Sequence, residues 1–201
     1  MFLDPLQQDS LTEIVTMGIG KAGNVLNDLL GSHISLSAPS VRIVDQSGLS
    51  LSFDKQLGIK LSAVEMRYSG VMSGSVDLVF TSGDASRLVD CLIGEDVIHE
   101  EGLDALRSGT LCEIGNIVIN ALVGTLSNML NLELSYTVPS YYEGDTGQLI
   151  ARAQEIDAKV ILLAETNFSV EDLHITGTII IFFSLLSFDT LKAALGVYLA
   201  Q

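Results

Sequence analysis

The sequence predicts an α+β fold with pseudo-two-fold symmetry, in which two long helices pack with an antiparallel sheet and the halves descend from an internal duplication. The first observation is a spaced motif: Glu113-Ile-Gly-Asn116 followed by Pro139 is echoed by Glu13-Ile-Val-Thr16 followed by Pro39, so three positions recur at an offset of 100. The second lies at the far end of each half. Gly74-Ser-Val-Asp-Leu-Val-Phe80 parallels Gly177-Thr-Ile-Ile-Ile-Phe-Phe183, and each runs into a helix-like segment at an offset of 102 or 103. The third is composition, since 48% hydrophobic residues in a chain of 201 supply ample core material.

Each half reads helix, several strands, helix. In the first, apolar residues Leu11, Ile14, Met17, Val25 and Leu29 mark a helix over about 11–30, with Ser10 as its candidate cap. In the second, Leu111, Ile114, Ile117, Val118, Ala121, Leu122 and Met129 mark a long helix over about 103–130. Short strands follow, His33 to Leu36 and Glu133 to Thr137. The prolines beyond them, which have no N–H for a ladder, end or bend these strands. Further strands are expected at Val41–Val44, Leu49–Phe53, Ile59–Tyr68 and Lys159–Glu165, and closing helices at Arg87–Gly94 and Asp189–Gly196. Short turns such as Tyr68-Ser-Gly70 favour antiparallel pairing. Residues 94–101 form an acidic connector. Because either half alone would expose a sheet edge, the two repeats, about 10–96 and 108–201, are expected to join as one domain over 1–201.

Charge narrows the function. Ten Lys and Arg against 25 Asp and Glu give a net charge of -15, which repels a phosphate backbone and disfavours nucleic-acid binding, while attracting a partner with a basic face. Ile175 to Phe188, the longest apolar run, falls short of the roughly 20 residues a membrane helix needs and is expected as buried strand. The N-terminus has no signal-peptide pattern, so a cytoplasmic protein is expected without membrane insertion. Cys91 and Cys112 lack metal or redox spacing and are expected as buried thiols, and His33, His99 and His174 share no ligand spacing, so no intrinsic metal is expected.

A competing reading comes from Gly18-Ile-Gly-Lys-Ala-Gly23, a GxGxxG run with Asp45 placed where a ribose-binding acid would lie. The repeat argues against it. The equivalent segment Val118-Ile-Asn-Ala-Leu-Val-Gly124 lacks those glycines, so they are read instead as places where helices approach closely.

On a helix, Glu113 and Asn116 are neighbours at i and i+3, and Asn120 continues their stripe. The pattern ExxN followed 23 residues later by Pro, set in Cys112-Glu-Ile-Gly-Asn-Ile117 and repeated in a pseudo-symmetric chain, resembles the CheC family of chemotaxis phosphatases. Its relatives are the shorter CheX proteins and the flagellar-switch phosphatase FliY. The resemblance runs from about Ser10 to Gln201. It implies hydrolysis of the aspartyl phosphate of a phosphorylated CheY-like response regulator in two-component signalling. In that reading Asn116 holds the attacking water, Glu113 pairs with the regulator's lysine, and Mg²⁺ belongs to the regulator.

Thr16 stands where the first copy would need Asn, so Glu13 and Thr16 form a degenerate second site. Asp9 keeps the family's flanking polar position, four before the Glu, but the second copy has Gly109 there, with Ser108 one residue off. The alternative is a non-catalytic adaptor of the same fold that docks a regulator or a CheD-like deamidase. A flagellar switch component is disfavoured at this stage because the sequence ends at Gln201.

Overall fold

The computed structural model describes residues 3–30, 34–36, 40–53, 58–93, 103–155, 158–170 and 173–200. The first half comprises α1 (Pro5–Leu30), β1 (Ile34–Leu36), β2 (Ser40–Val44), α2 (Gln46–Ser52), β3 (Leu61–Gly70), β4 (Gly74–Thr81) and α3 (Ser82–Ile93). The second repeats that order as α4 (Leu103–Met129), β5 (Leu134–Tyr136), β6 (Ser140–Gly144), α5 (Thr146–Glu155), β7 (Val160–Val170), β8 (Leu173–Phe183) and α6 (Leu185–Leu199).

The strands form one antiparallel sheet in the order β1-β7-β8-β4-β3-β5, with β2 also on β7 and β6 also on β3. Each half therefore lends its short strands to the long strand of the other. This crossing covers edges that would otherwise present unpaired N–H and C=O groups. The seam is the pairing of β4 with β8, where Asp77 lies opposite Ile180. These two residues occupy equivalent places in the two halves, so the pseudo-two-fold axis passes between them.

Both sheet faces are covered. Val64, Met66, Leu78, Leu162 and Ile181 pack under α1, α4, α3 and α6, while Leu61, Ala63, Val79, Leu163 and Ile180 pack with Leu49 of α2 and Leu149 of α5. Burial on both sides makes these strands almost continuously apolar and hides the usual alternation. In α4 the stretch Ala105–Met129 is long and apolar enough by composition to cross a membrane. Its apolar residues Ile114, Val118, Ile119, Leu122 and Leu126 instead lie in the core.

Capping chemistry decides the elements that periodicity misplaced. The span Leu49–Phe53 is not a strand. Asp45 accepts a hydrogen bond from Gly48 N at 2.8 Å and starts α2, so the residue that resembled a ribose ligand is an N-cap. At the equivalent place Asp145 and Gln148 exchange side-chain-to-backbone bonds of 2.9 and 3.0 Å, a capping box that opens α5, an element periodicity did not reveal. The same box at Asp4 and Gln7 starts α1 at Pro5, placing Ser10 inside the helix rather than at its cap. The long apolar run is strand only as far as Phe183, because Ser184 accepts from Ser187 N and begins α6.

Other expectations are corrected by burial. Met17 is 47% exposed, and the buried side of α1 is Leu11, Ile14, Val15, Ile19, Ala22 and Leu26. Cys91 is exposed and Cys112 half-buried, so neither is a core thiol. Pro39, His33, His99 and the connector 94–101 lie outside the described residues.

The glycines of the GxGxxG run serve packing unequally. A Cβ on Gly18 would lie 2.8 Å from Leu122 Cα, so α1 and α4 cross there backbone to backbone, whereas one on Gly20 would meet nothing within 4 Å. Gly18→Ala is expected to lower the urea midpoint, because overpacking of about 1–3 kcal/mol outweighs the roughly 1 kcal/mol that Ala adds in helix propensity. Gly20→Ala, free of that clash, is expected to raise stability by up to about 1 kcal/mol.

At the seam, Asp77 is 1% exposed and its Oδ1 has no hydrogen-bond partner among the described residues. Tyr142 donates to its Oδ2 at 2.7 Å. Its neighbour across the ladder is Glu65, also buried, which accepts from Arg67 Nε at 2.7 Å and pairs with Arg152 of α5. The Arg152 guanidinium stacks 4.0 Å over the Tyr142 ring. Burial pushes the Asp77 carboxyl up to about 7 from 3.8, against the opposing pull of the Tyr142 hydrogen bond and the Arg67 charge. A folded-state value above the unfolded one means that the native chain holds the proton more tightly. This contribution to stability is present at low pH and is lost as pH rises from about 4 to about 7. In urea unfolding between about pH 5 and 8, the native chain is expected to lose stability relative to Asp77→Asn by on the order of 2–4 kcal/mol.

Candidate functional site

The candidate site grows out of the α4 packing. Gly115 lies between Glu113 and Asn116, and a Cβ on it would stand 2.5 Å from Val64 Cγ1, so this turn of α4 rests directly on β3. With Ile114, Val118 and Ile119 buried beneath, the opposite side of the helix carries exposed Glu113, half-exposed Asn116 and exposed Asn120. The stripe expected from spacing is therefore assembled and accessible.

Within it, Asn120 Nδ2 donates to Asn116 Oδ1 at 2.7 Å. This i+4 bond restrains the carboxamide plane of Asn116, while a carbonyl oxygen retains a second lone pair for another donor. The Glu113 carboxylate has no hydrogen bond or ion pair among the described residues, so it is available to an incoming cation. Half-buried Cys112 is directed to the neighbouring strand, where a hydrogen bond with the Tyr141 backbone partly offsets the upward effect of burial on its thiol.

The equivalent face of α1 differs. Glu13 is exposed, but Thr16 Oγ1 donates to the Thr12 carbonyl at 2.8 Å, a bond to its own helix. Gly20 stands where α4 has Asn120 and offers no side chain to orient a neighbour. The buried residues of α1 and α4 keep their spacing: Leu11, Ile14, Ile19 and Leu26 answer to Leu111, Ile114, Ile119 and Leu126. The halves thus differ on the exposed stripe and agree on the packed one. The flanking positions behave likewise, with Asp9 and Gly109 both exposed and Ser108 donating to the Ala105 carbonyl. Sequence spacing found Glu113, Asn116 and Asn120, but the bond between the two carboxamides required the rotamers.

The structure is thus a pseudo-two-fold α+β fold in which one of two crossed helices displays a Glu and an Asn to solvent. No protein-family model matches the chain. Over 135 residues, 66% of this chain, it is 25% identical to the CheY-P phosphatase CheC of Bacillus subtilis, and over 138 residues, 68% of this chain, 30% identical to the flagellar motor switch phosphatase FliY of the same organism. The matched stretch spans 64% of that CheC and 35% of that FliY, less than two thirds of either relative. The X-ray structure of Thermotoga maritima FliY superposes on all of this chain and 99% of its own with a TM-score of 0.75 at 19% identity, which establishes the shared fold. The chain belongs to the CheC/CheX/FliY family.

Proposed function

We propose that this chain is a phosphatase for the aspartyl phosphate of a CheY-type response regulator, working through α4 in chemotaxis signalling. The observation behind this reading is the exposed Glu113, Asn116 and Asn120 stripe, in which the carboxamide that would handle water is already restrained. Support also comes from the relative named a CheY-P phosphatase.

In the proposed reaction, Asn116 holds a water in line with phosphorus. The water oxygen bonds to phosphorus, the bond from phosphorus to the aspartyl oxygen breaks, and the aspartate leaves as a carboxylate with release of inorganic phosphate. A neutral carboxamide suits this task, because it orients water without bringing negative charge to the phosphoryl oxygens. Glu113 meets the lysine of the regulator and sets the docking register. Mg²⁺ would belong to the regulator's own site and would neutralise the phosphoryl oxygens there. Asn120 is a positioning residue that acts through Asn116.

A second reading, that the chain is a docking adaptor for a regulator or a CheD-like deamidase, draws on the first half, where the Thr16 hydroxyl is turned back on its own helix. Decay of phosphorylated regulator separates the two. The phosphatase reading expects acceleration by the native chain, about a hundredfold weaker with Asn116→Ala. For Asn120→Ala the expected loss is about tenfold in kcat with KM unchanged, because the water loses its fixed orientation while docking persists. Binding of the regulator without any change in decay would favour the adaptor.

A further inference from the structure

The closing helix α6 is apolar on both sides. Phe188, Leu191 and Leu195 are buried in the core, while Leu186 is 76% and Val197 63% exposed on the opposite side. Leu186, Thr190, Ala193 and Val197 follow one another at helical spacing and form a stripe about 16 Å long. Thr190 donates its hydroxyl to the Leu186 carbonyl at 3.0 Å, so it adds no unmet donor to the stripe. Beside it lies an open groove of about 410 Å³, whose far wall is Val71, itself 53% exposed, with Met129 and Leu132 at the turn between α4 and β5.

The fold does not demand this surface. α3 is the counterpart of α6, since Thr81 Oγ1 accepts from Asp84 N as Ser184 Oγ accepts from Ser187 N, and the two helices start in step. Leu186, Thr190 and Ala193 then answer to Gly83, Arg87 and Asp90. There Arg87 pairs with Asp84, and Asp90 with Arg107 at 2.9 Å, so the same backbone face carries charge in one half and carbon in the other. A helix apolar all round belongs in an interior, and exposed leucine and valine where a polar face would serve mark a surface that something covers. The chain between Ile93 and Leu103 does not reach it. Those residues lie at the far end of α4, about 39 Å from Met129, and at about 3.4 Å per residue the segment joining them is too short to go that far and return.

Charge says what kind of partner fits. Asp189 is exposed on one margin of the stripe, and exposed Glu133, whose carbonyl accepts from Val71 N at 3.3 Å, stands beyond the far wall of the groove. Among the described residues no Lys or Arg lines the groove. A second copy would set these carboxylates, and two net charges of -15, against each other, and an anionic membrane surface is repelled in the same way. A helix with an apolar stripe of about three turns and with Lys or Arg on its flanks matches both the carbon and the charge. The groove is separate from the candidate catalytic stripe, since Asn116 lies about 20 Å from Met129 along α4.

We propose that the α6 groove docks a basic amphipathic helix of a partner protein, whose apolar stripe packs on Leu186, Ala193 and Val197 while its Lys or Arg side chains face Asp189 and Glu133. The test is fluorescence anisotropy of a labelled synthetic peptide of about 18 residues, with leucine along one helical face and lysine on both flanks, titrated with the full chain at about 150 mM salt. Saturable binding is expected, with a scrambled peptide of the same composition and a version carrying glutamate for lysine each about tenfold weaker or more. Val197→Asp is expected to weaken binding about tenfold or more. The sign is diagnostic, because a new carboxylate strengthens the hold on a cationic peptide bound by charge alone. Gly20→Asp, which adds the same charge on the exposed face of α1, is expected not to weaken binding, and Leu186→Asp repeats the test should Val197→Asp fail to fold. Absence of saturable binding overturns the proposal, as does equal binding of the scrambled or glutamate peptide, or binding that the Asp variants on α6 leave unchanged. Self-association of the chain in sedimentation that Val197→Asp abolishes would overturn it by assigning the face to a second copy. Sedimentation with phosphatidylglycerol vesicles that the same variant abolishes would overturn it in favour of a membrane surface.

Discussion

The rest of the structure depends on the pairing of β4 with β8. Each half carries a long hairpin, β3–β4 or β7–β8, whose inner strand has one edge covered only by its counterpart, and an unpaired ladder inside the molecule would leave a row of N–H and C=O groups without partners. Pairing at Asp77 and Ile180 closes that seam and fixes the relation of the halves. It also brings β1 and β2 onto β7, and β5 and β6 onto β3, so neither half completes its sheet alone. With the sheet joined, α1 and α4 lie on one face and cross where Gly18 meets Leu122, and the polar stripe of each helix turns away from the core.

The seam is also where the halves cease to be equal. Two-fold symmetry would place the same side chain twice at the axis, yet one half brings a carboxyl and the other an isoleucine. The carboxyl is accommodated by Tyr142, while the neighbouring Glu65 is matched by Arg67 and Arg152. Opposite Ile180, where the first half sets Glu65 against Asp77, the second half has Leu163, while Glu165 is exposed and paired with Arg42 at 2.8 Å. Buried ionic groups of this kind cost desolvation, so their arrangement on one side is a constraint that later change must respect.

Divergence elsewhere follows the same division between packed and free positions. Residues that hold α1 against α4 keep their spacing in both copies, because a change in volume there is felt at once. Thr16 and Gly20 against Asn116 and Asn120 lie on the solvent side, where exchange costs little stability. The outer face of α6 is apolar where that of α3 is charged, again on the solvent side. Symmetry of the backbone with asymmetry of the side chains leaves one half with an intact candidate site and an apolar groove, and the other as scaffold.

Much of this was legible in the sequence. Helical period over Leu111, Ile114, Val118 and Leu122 located α4, and the repeat at an offset of 100 located α1 and the class of fold. The spacing of Glu113, Asn116 and Asn120 placed them on one face, since helix geometry is local. Reading failed where a cap outweighed a pattern: Leu49, Leu51 and Phe53 alternate like a strand, but Asp45 turns them into α2. Aspartate three residues before a Gln at Asp145 could have revealed α5. What only the tertiary structure decided was the exchange of strands between halves, the burial of Asp77, the exposure of Met17 and Cys91, and the apolar groove beside α6. Each depends on which residues far apart in the chain come into contact, whereas spacing along one helix or strand is set by its own backbone.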